Sequence, residues 1–367
     1  FATPKSTAGV FTVSITGVND APTLDAVTEA FTDTAANDTF TTRTGTLVGA
    51  DRDTAQTIAF GITGGTVGAT TVTASNAYGT LTVTKATGAY TFAPNRSGIN
   101  GVSSNTTATF TVTASDGTVA ATATFTVSIT GANDTPALTT PTAASYTDTA
   151  IDDTFANDTG TLAGADRDGQ SLTYGVQGTG VGDYGTLVVN SSTGAYTYTP
   201  NQAAINARSA NATDTFTVTA SDGTATATAT YTVSITGAND TPALANTTAT
   251  FTDTSANDTF SNATGTLGGT ERDTGQALAY ALSGSATGTL TLGLVTYTES
   301  KAGAYGTLWI EPSTGKYAFV PDGARINALP AGSYADTFNL TATDDFTTPK
   351  STAGVFTVSI TGVNDAP

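Results

Sequence analysis

The chain has 367 residues and a net charge of −18, with 30 Asp and Glu against 12 Lys and Arg, and it contains no Cys, Met or His. The lack of a basic patch disfavours nucleic acid as a partner. Without His or Cys the chain has no Ser/His or Cys/His dyad and no soft ligand for zinc or copper, so we expect no enzyme. The sequence contains no run of 18 apolar residues, so it predicts no membrane span.

The first predicted element, residues 3–22, returns letter for letter as residues 348–367. Its closing Asn-Asp phrase ends at Asp20, Asp134, Asp240 and Asp365, with spacings of 114, 106 and 125 residues. Self-similarity with a period of domain length indicates a tandem array. We therefore predict the last strand of a preceding module followed by three β-sandwich modules: residues 1–20, then 21–134, 135–240 and 241–367.

Residues 1–20 lack the partner strands that their own module would supply. An unpaired strand edge is a template for the addition of another strand. We expect this segment to be completed by a preceding module of the same chain or by a neighbouring chain, in a longer fibre or array.

Within each module, apolar and hydroxyl residues alternate with period two, as in residues 109–113 and 124–129. This pattern is typical of antiparallel sheets with one dry face, and no stretch shows a convincing helical period. The chain is therefore predicted to be all-β, with tandem Ig-like or cadherin-like sandwiches of roughly seven strands strung end to end. Six aromatics alternate along a predicted hairpin in each module and fit core packing better than a ligand platform: Tyr90, Phe92, Tyr196, Tyr198, Tyr317 and Phe319.

Acidic residues recur at the same offsets in every module, in segments that look like turns, while the strands carry almost no charge. Scattered acids would indicate no more than a solvated acidic surface, which is the alternative to a metal site. Clustered carboxylates repel one another unless a cation lies among them. Residues i and i+2 of an extended segment point the same way, so each Asp-Arg-Asp or Glu-Arg-Asp element can aim both acids at one ion. These pairs are Asp51 and Asp53, Asp166 and Asp168, and Glu271 and Asp273.

Calcium needs six to eight oxygen ligands, so further residues must converge on each pair. Candidates after the first aromatic strand are Asp33, Asp148 and Asp253, and candidates in the Ala-Ser-Asp-Gly type turns are Asp116, Asp222 and Asp344. The remaining candidates are the Asn-Asp pairs that precede each module: Asn19, Asp20, Asn133, Asp134, Asn239, Asp240, Asn364 and Asp365. The sequence thus predicts Ca²⁺ as the cofactor.

The phrases GTLTVTKATGAYTFAPN, FTVTASDGT and VSITGANDTP resemble the VCBS repeats of giant bacterial surface and RTX-type adhesins. The Asp-Arg-Asp and Asn-Asp-Xaa-Pro elements also resemble calcium motifs of cadherin domains. The resemblance implies calcium between successive domains, with Asp33 and Asp148 as early-strand acids. It implies that Asp51, Asp53, Asn133 and Asp134 meet Asp222, and that Asp166, Asp168, Asn239 and Asp240 meet Asp344.

A further set of repeated acids and amides has two readings, metal ligands or formers of Asx turns that need no metal. Both readings stay open at this point. The set comprises Asn37, Asp38, Asp152, Asp153, Asn257 and Asp258.

Together these features predict a calcium-stiffened stalk or filament shaft of a large bacterial cell-surface or extracellular adhesin-like protein. Its partners would be neighbouring modules or copies of the chain. The alternative is a carbohydrate-binding module that contacts cell-surface or matrix glycans through the variable loops at residues 54–77, 169–183 and 274–304. A sugar site should expose Trp or Tyr in those loops, where Tyr297 is the candidate.

Overall fold

The computed structural model of this chain describes residues 1–54 and 56–364. The chain divides into two compact units. Unit one comprises Phe1–Leu138, Ala163–Thr173 and Thr219–Thr228, and unit two comprises Thr139–Leu162, Tyr174–Val218 and Ala229–Pro367. Almost all regular structure is β-strand, which confirms the all-β prediction.

The elements up to the second Asn-Asp pair and its linker are numbered in chain order. They are β1 (Thr23–Leu24), β2 (Val27–Thr32), β3 (Arg43–Thr46), β4 (Gly49–Ala50), β5 (Ala59–Ile62), β6 (Thr66–Val67), β7 (Thr71–Asn76), β8 (Gly79–Thr84), β9 (Ala89–Pro94), α1 (Arg96–Ile99), β10 (Thr106–Ser115), β11 (Ala120–Thr130) and β12 (Ala137–Leu138).

The elements that follow continue the same numbering. They are β13 (Ala144–Thr147), β14 (Asp158–Thr161), β15 (Gly164–Ala165), β16 (Thr173–Val176), β17 (Gly185–Val189), β18 (Ala195–Pro200), α2 (Gln202–Asn206), β19 (Ala212–Ser221), β20 (Thr226–Thr236), β21 (Ala243–Leu244), β22 (Thr247–Thr252), β23 (Ala263–Thr266), β24 (Gly269–Thr270), β25 (Leu278–Leu282), β26 (Ala286–Leu292), β27 (Val295–Ala302), β28 (Gly306–Glu311), β29 (Lys316–Pro321), α3 (Gly323–Ile326), β30 (Gly332–Asp344) and β31 (Ser351–Gly362).

Unit one contains a sandwich of a four-stranded sheet, β2-β11-β10-β5, and a five-stranded sheet, β3-β9-β8-β7-β6. β10 and β11 pair antiparallel over ten residues, and β2 runs parallel to β11. The period-two pattern places alternate residues inside, where both sheets contribute to one core. Its fully buried members include Leu81, Phe92, Val112, Phe125 and Val127.

Two further pairs of sheets lie mainly in unit two. One pair is β13-β20-β19-β16 with β14-β18-β17, and the other is β22-β31-β30-β25 with β23-β29-β28-β27-β26. The sandwich formed by β13-β20-β19-β16 and β14-β18-β17 has the predicted seven strands. The extra strands of the other sandwiches lie in the variable segments, as the hairpins β6–β7 and β26–β27.

Each sandwich also carries a short helix that the sequence did not predict. α1, α2 and α3 have four or five residues, and each buries one isoleucine: Ile99, Ile205 and Ile326. A single helical turn is too short to show the 3.6-residue period over the window that reveals amphipathic helices.

Residues 1–22 belong to no strand, and their side chains are largely exposed. The predicted module boundaries at residues 20, 134 and 240 stay a prediction. Among the described residues, no helix is long and apolar enough to cross a membrane.

Candidate metal centre

The acidic residues meet beside the two-stranded sheets β1-β4, β12-β15 and β21-β24. In the second of these, Ala137 lies opposite Ala165 in antiparallel register. Antiparallel strands run in opposite directions, so the residues before Ala137 and those after Ala165 lie at the same end of the pair. This brings Asp134 to Asp168, and the backbone N–H of Asp134 donates to Oδ2 of Asp168 at 2.7 Å.

A third carboxylate comes from the end of β2. Because β2 lies beside β11, the backbone N–H of Asp33 donates to the carbonyl of Thr130 at 2.9 Å. Carboxylate oxygens of Asp33, Asp134 and Asp168 all lie within 4.8 Å of one another. Asp33 is 2% exposed and Asp134 is 0% exposed. We call these three acids, together with Asn133 and Asp166, the Asp134 cluster.

Several buried oxygens of the Asp134 cluster have no hydrogen-bond partner in the described part of the chain. They are both carboxylate oxygens of Asp33, Oδ2 of Asp134, Oδ2 of Asp166 and Oδ1 of Asp168. An ionised carboxylate only accepts hydrogen bonds, and burying it without a donor or a cation costs free energy. The cluster therefore has an unmet need for positive charge.

One arginine meets part of this need. Nη1 of Arg167 donates to Oδ1 of Asp134 at 2.6 Å. Even so, burial raises the pKa of Asp134 above its ordinary value, with Asp168 and Asp166 adding to the rise. Burial also raises the pKa of Asp33; the nearby backbone N–H of Ala132 opposes this rise, and the charge of Asp134 adds to it. Arg167 thus leaves the cluster with more negative than positive charge.

The linker is the segment between β11 and β12 that carries Asn133 and Asp134. A set of polar side chains holds it in place. Nδ2 of Asn133 donates to Oδ2 of Asp222 at 2.9 Å, and Nε2 of Gln170 donates to Oδ1 of Asn133 at 3.0 Å. Backbone hydrogen bonding from Ala225, followed by the bond from Asn133, lowers the pKa of Asp222. Asp222 therefore stays ionised and fixes the amide of Asn133.

The sequence reasoning missed the glutamines of this arrangement. Gln56, Gln170 and Gln276 each donate to the Asn of the nearby Asn-Asp pair, at 2.5, 3.0 and 2.9 Å. Each glutamine follows the acidic pair of its module by two or three residues, and that recurrence was visible in the sequence.

The second cluster, in unit two, repeats these contacts. The backbone N–H of Asp240 donates to Oδ2 of Asp273 at 2.6 Å, and Nδ2 of Asn239 donates to Oδ2 of Asp344 at 3.0 Å. Asp148 lies at the end of β13 and accepts from the backbone N–H of Ala238 at 3.3 Å. We call Asp148, Asn239, Asp240, Glu271 and Asp273 the Asp240 cluster.

The charges of the Asp240 cluster are also incompletely matched. Oδ1 of Asp148, Asp240 and Asp273 and Oε2 of Glu271 are buried without a hydrogen-bond partner among the described residues. Burial raises the pKa of Asp148 to about 6. Arg272 approaches Asp240 at 3.3 Å through Nη1. Within the part of the chain that the structure describes, only the Asp134 cluster brings three carboxylates within 4.8 Å of one another, so it is the tighter of the two.

A third arrangement, at the N-terminal end of unit one, is incomplete. The backbone N–H of Asp20 donates to Oδ2 of Asp53 at 2.9 Å, and Nδ2 of Asn19 donates to Oδ2 of Asp116 at 2.9 Å. We call Asn19, Asp20, Asp51 and Asp53 the Asp20 cluster. It has the linker and the acidic pair, but residues 1–54 and 56–364 bring no early-strand acid to it, and Asp20 is exposed.

The remaining early-strand acid is Asp253, which is 1% exposed. Its Oδ2 accepts from the backbone N–H of Val363 at 3.2 Å, while its Oδ1 has no hydrogen-bond partner among the described residues. Asn364 follows in the chain, and Asp365, also a predicted ligand, lies outside the described residues.

The predicted grouping of the acidic pairs was wrong by one module. Asp51 and Asp53 lie beside Asn19 and Asp20, not beside Asp134, and Asp166 and Asp168 lie beside Asn133 and Asp134 rather than Asn239 and Asp240. The reason is the two-stranded sheet, which folds each acidic pair back onto the linker before its module. Glu271 and Asp273 take the place beside Asp240.

The repeated acids with two readings lie in local turns. Oδ2 of Asp38 accepts from the backbone N–H and the hydroxyl of Thr34, at 2.6 and 2.8 Å. Asp153 and Asp258 accept the corresponding bonds from Thr149 and Thr254. These contacts favour the turn reading over the metal reading.

Residues 133–237 match the model of the bacterial cadherin-like domain. The match begins at Asn133 and ends two residues before Asn239, so it runs from one Asn-Asp pair almost to the next. A search of curated proteins found no match.

Solved structures similar to this chain include cadherin fragments. Protocadherin gamma B2 extracellular cadherin domains 1–5 is 16% identical over 94% of this chain, with a TM-score of 0.39. Mouse cadherin-23 EC22-24 is 15% identical over 95% of this chain and 100% of its own length, with a TM-score of 0.34. This chain spans 60% of the protocadherin fragment's length.

Proposed function

We propose that this chain is a calcium-stiffened structural shaft of a large extracellular bacterial adhesin-like protein. The observation that carries the proposal is the group Asp33, Asp134 and Asp168: one carboxylate oxygen of each lies within 4.8 Å of the others, and each residue has at least one buried oxygen without a hydrogen-bond partner among the described residues. Replacing water around buried charges is costly, and Arg167 pairs with only one of the three acids. Calcium prefers oxygen ligands of this kind.

The residues present fit a hard cation. Asp33, Asp134, Asp166 and Asp168 would hold calcium in the Asp134 cluster, and Asp148, Asp240, Glu271 and Asp273 would do so in the Asp240 cluster. Their oxygens come from segments far apart in the sequence, so one ion would tie an early strand, a linker and an acidic pair together. Asn133 and Asn239 would orient the linkers through Asp222 and Asp344.

Two further observations support the extracellular and structural parts of the proposal. Residues 133–237 match a bacterial cadherin-like domain, and the phrases that resemble VCBS repeats recur through the whole chain. Such an array acts through its neighbours, which would be adjoining modules or copies of the same chain. A mechanical role needs no catalytic residue.

The carbohydrate-binding alternative rested on Tyr297 in a variable segment. Tyr297 is 3% exposed in β27, and burial raises its pKa. A ring enclosed in this way presents no face for a sugar to stack on. We therefore favour the structural role.

Small-angle scattering in calcium and in chelator tests the proposal. We expect the distribution of shapes to broaden and the maximum dimension to change when calcium is removed, because each linker loses the ion that ties it down. A matched control is Asp38→Asn, which alters a turn acid and should respond to chelator as the wild type does. An identical scattering profile in calcium and chelator would contradict the proposal.

A further inference from the structure

An open pocket of about 500 Å³ lies beside α1 in unit one. Its lining comes from α1 and the residues that flank it, from the turn before β3, and from the arginine of the second Asp-Arg-Asp element. Gly101 lets these segments approach closely, because a Cβ there would lie 3.3 Å from the carbonyl oxygen of Arg167. The side chains that line the pocket are those of Asn37, Asn95, Arg96, Ser97, Asn100 and Arg167.

The lining of this pocket is positively charged, although the net charge of the chain is −18. None of the six side chains is acidic or apolar, and two are arginines. Two backbone carbonyls fix Arg96, since its Nε donates to Asp38 at 2.6 Å and its Nη2 donates to Asn37 at 2.9 Å. Within the described ranges no carboxylate forms an ion pair with Arg96. Its charge is therefore held in place and left without a counter-charge.

Arg167 has spare donors at the same pocket. Its Nη1 donates to Asp134, and it makes no other hydrogen bond or ion pair in the part of the chain that the structure describes. A guanidinium carries five N–H donors in a planar fork, so Arg167 keeps donors for a second acceptor. Two arginines that line one pocket attract an anion, and their forks match the two oxygens of a carboxylate.

Unit two contains a counterpart of this pocket in which the chain supplies the anion itself. Arg272 has the place of Arg167 in its acidic pair. Asp152 has the place of Asn37 in the repeated turn. Oδ1 of Asp152 lies 3.9 Å from Nε of Arg272, whose Nη1 also contacts Asp240. A carboxylate thus lies beside the arginine in unit two, whereas the corresponding residue in unit one, Asn37, is neutral.

The second arginine differs in the complementary direction. Gln202 of α2 has the place of Arg96, and it carries no charge. Its side chain pairs with the backbone of Phe155, donating to the carbonyl and accepting from the N–H at 2.7 Å each. At corresponding positions, unit one therefore has one more cation and one fewer carboxylate than unit two.

We propose that the pocket beside α1 binds a carboxylate ligand that also carries hydroxyl groups, of the class of hydroxy acids and uronic acids. Arg96 and Arg167 hold the carboxylate, just as Arg272 lies beside the carboxylate of Asp152. The amide of Asn37 and the hydroxyl of Ser97 bind the hydroxyl groups of the ligand. An apolar ligand would gain little, because the lining has no apolar side chain. The volume of about 500 Å³ is in the range of small-molecule sites.

Nuclear magnetic resonance titration of the whole chain with sodium glucuronate tests the proposal. We expect saturable shifts of the Nε–H signals of Arg96 and Arg167, and no such shifts with glucose, which lacks the carboxylate. Binding should appear both in calcium and in chelator, because the proposal uses no metal, so its failure is distinct from a failure of the proposed calcium role. No saturable shift with glucuronate, or the same shifts with glucose, would overturn it.

Acetate separates a hydroxylated carboxylate from any other carboxylate, including that of an acidic protein side chain. It offers the same charge without the hydroxyl groups, and we expect it to bind about tenfold more weakly than glucuronate. Equal affinities for acetate and glucuronate would overturn the assignment to hydroxylated ligands.

Two variants take their new side chains from unit two, which folds with them. Asn37→Asp introduces the carboxylate of Asp152 and should occupy the arginines from within the chain, so we expect the affinity for glucuronate to fall about tenfold. Arg96→Gln introduces the residue that α2 carries at this place and should cause a similar loss. Wild-type affinity in both variants would place the binding elsewhere and contradict the proposal.

The reverse exchange should build the pocket in unit two. Asp152→Asn/Gln202→Arg removes the carboxylate beside Arg272 and adds the second arginine, so we expect two glucuronate ions per chain in place of one. Asp152→Asn alone lacks the second arginine and is the matched control, with one ion per chain. A double variant that keeps the melting temperature of the wild type and still binds one ion would show that the arginine pair does not determine binding, which overturns the proposal.

Discussion

The Asp134 cluster and the Asp20 cluster share one hydrogen-bond pattern but differ in burial. In both, the linker Asp donates its N–H to the acidic pair, and the linker Asn contacts a turn Asp and a Gln. Of these two, only the Asp134 cluster includes an early-strand acid from the described residues, Asp33, and there the linker Asp is 0% exposed. Asp20 is exposed.

The difference bears on which part of the arrangement would hold the proposed cation. Hydrogen bonds alone suffice to hold the linker against the acidic pair, because they form in both clusters. The third acid closes the Asp134 cluster and adds two buried carboxylate oxygens without partners, whereas the Asp20 cluster has one such oxygen, Oδ2 of Asp51, among the described residues. We infer that the early-strand acid turns a linker clamp into a calcium site.

The largest expected effect comes from removing the acidic pair of a complete cluster. Asp166→Asn/Asp168→Asn should lower Tm in calcium, since a site saturated at 100 times its Kd contributes about 2.7 kcal/mol. That free energy corresponds to roughly 11–22 °C in Tm for a domain of about 100 residues. Calorimetry in calcium and in chelator measures it.

The matched variant Asp51→Asn/Asp53→Asn changes the same pair in the incomplete cluster. We expect little change in the calcium-dependent part of Tm for this variant. Equal calcium-dependent losses for the two variants would show that the early-strand acid makes no difference.

The pH dependence should be the next largest effect. The folded-state pKa of Asp148 is raised from 3.8 to about 6, so the folded protein binds a proton more tightly than the unfolded chain does. In chelator, the stability from this group is fully present below the unfolded pKa and is lost as the pH rises through about 6. Denaturant unfolding at intervals across this pH range measures the loss.

Asp148→Asn is the control for that titration. It should remove part of the pH dependence in chelator and make the chain more stable at neutral pH, because no buried charge remains at the position. In calcium the same variant should be less stable than the wild type. A variant that is destabilised equally in both conditions would point to a packing role for Asp148.

A smaller effect is expected from the glutamines, which hold the linker without contacting the proposed ion. Gln170→Ala should weaken calcium binding by about tenfold, as is usual for groups that orient ligands. Gln56→Ala makes the same change in the incomplete cluster and should leave calcium affinity unaltered. Isothermal titration of the two variants compares them directly, and equal losses would contradict the role given to Gln170.

Much of the fold was accessible from the sequence because its strands alternate. The long hairpin β10–β11 reads as period two, and its apolar face is the buried face. The Tyr-Gly-Thr-Leu phrases that recur in the three modules coincide with the start of β8, β17 and β28. The candidate ligands were chosen from the sequence because their offsets repeat in every module, and their role as ligands stays a prediction.

The grouping of those ligands could not be read in the same way. It depends on two-residue strands such as Gly49–Ala50, which are too short to show any pattern and pair with residues more than 20 positions away. The fate of residues 3–22 shows the same limit, because identical letters form a buried strand where β30 and β22 are present and no strand elsewhere. Pairing partners, rather than local propensity, decide both cases.

Calcium titration of the monomeric chain tests the central claim most directly. Isothermal titration at neutral pH should show tight binding that Asp33→Asn and Asp148→Asn each reduce in stoichiometry, with the tighter ions lost in Asp33→Asn. Asp253→Asn, which changes the early-strand acid of an incomplete arrangement, should leave the monomer's binding unchanged. No calcium binding by the wild type, or equal binding by the wild type and all three variants, would contradict the account.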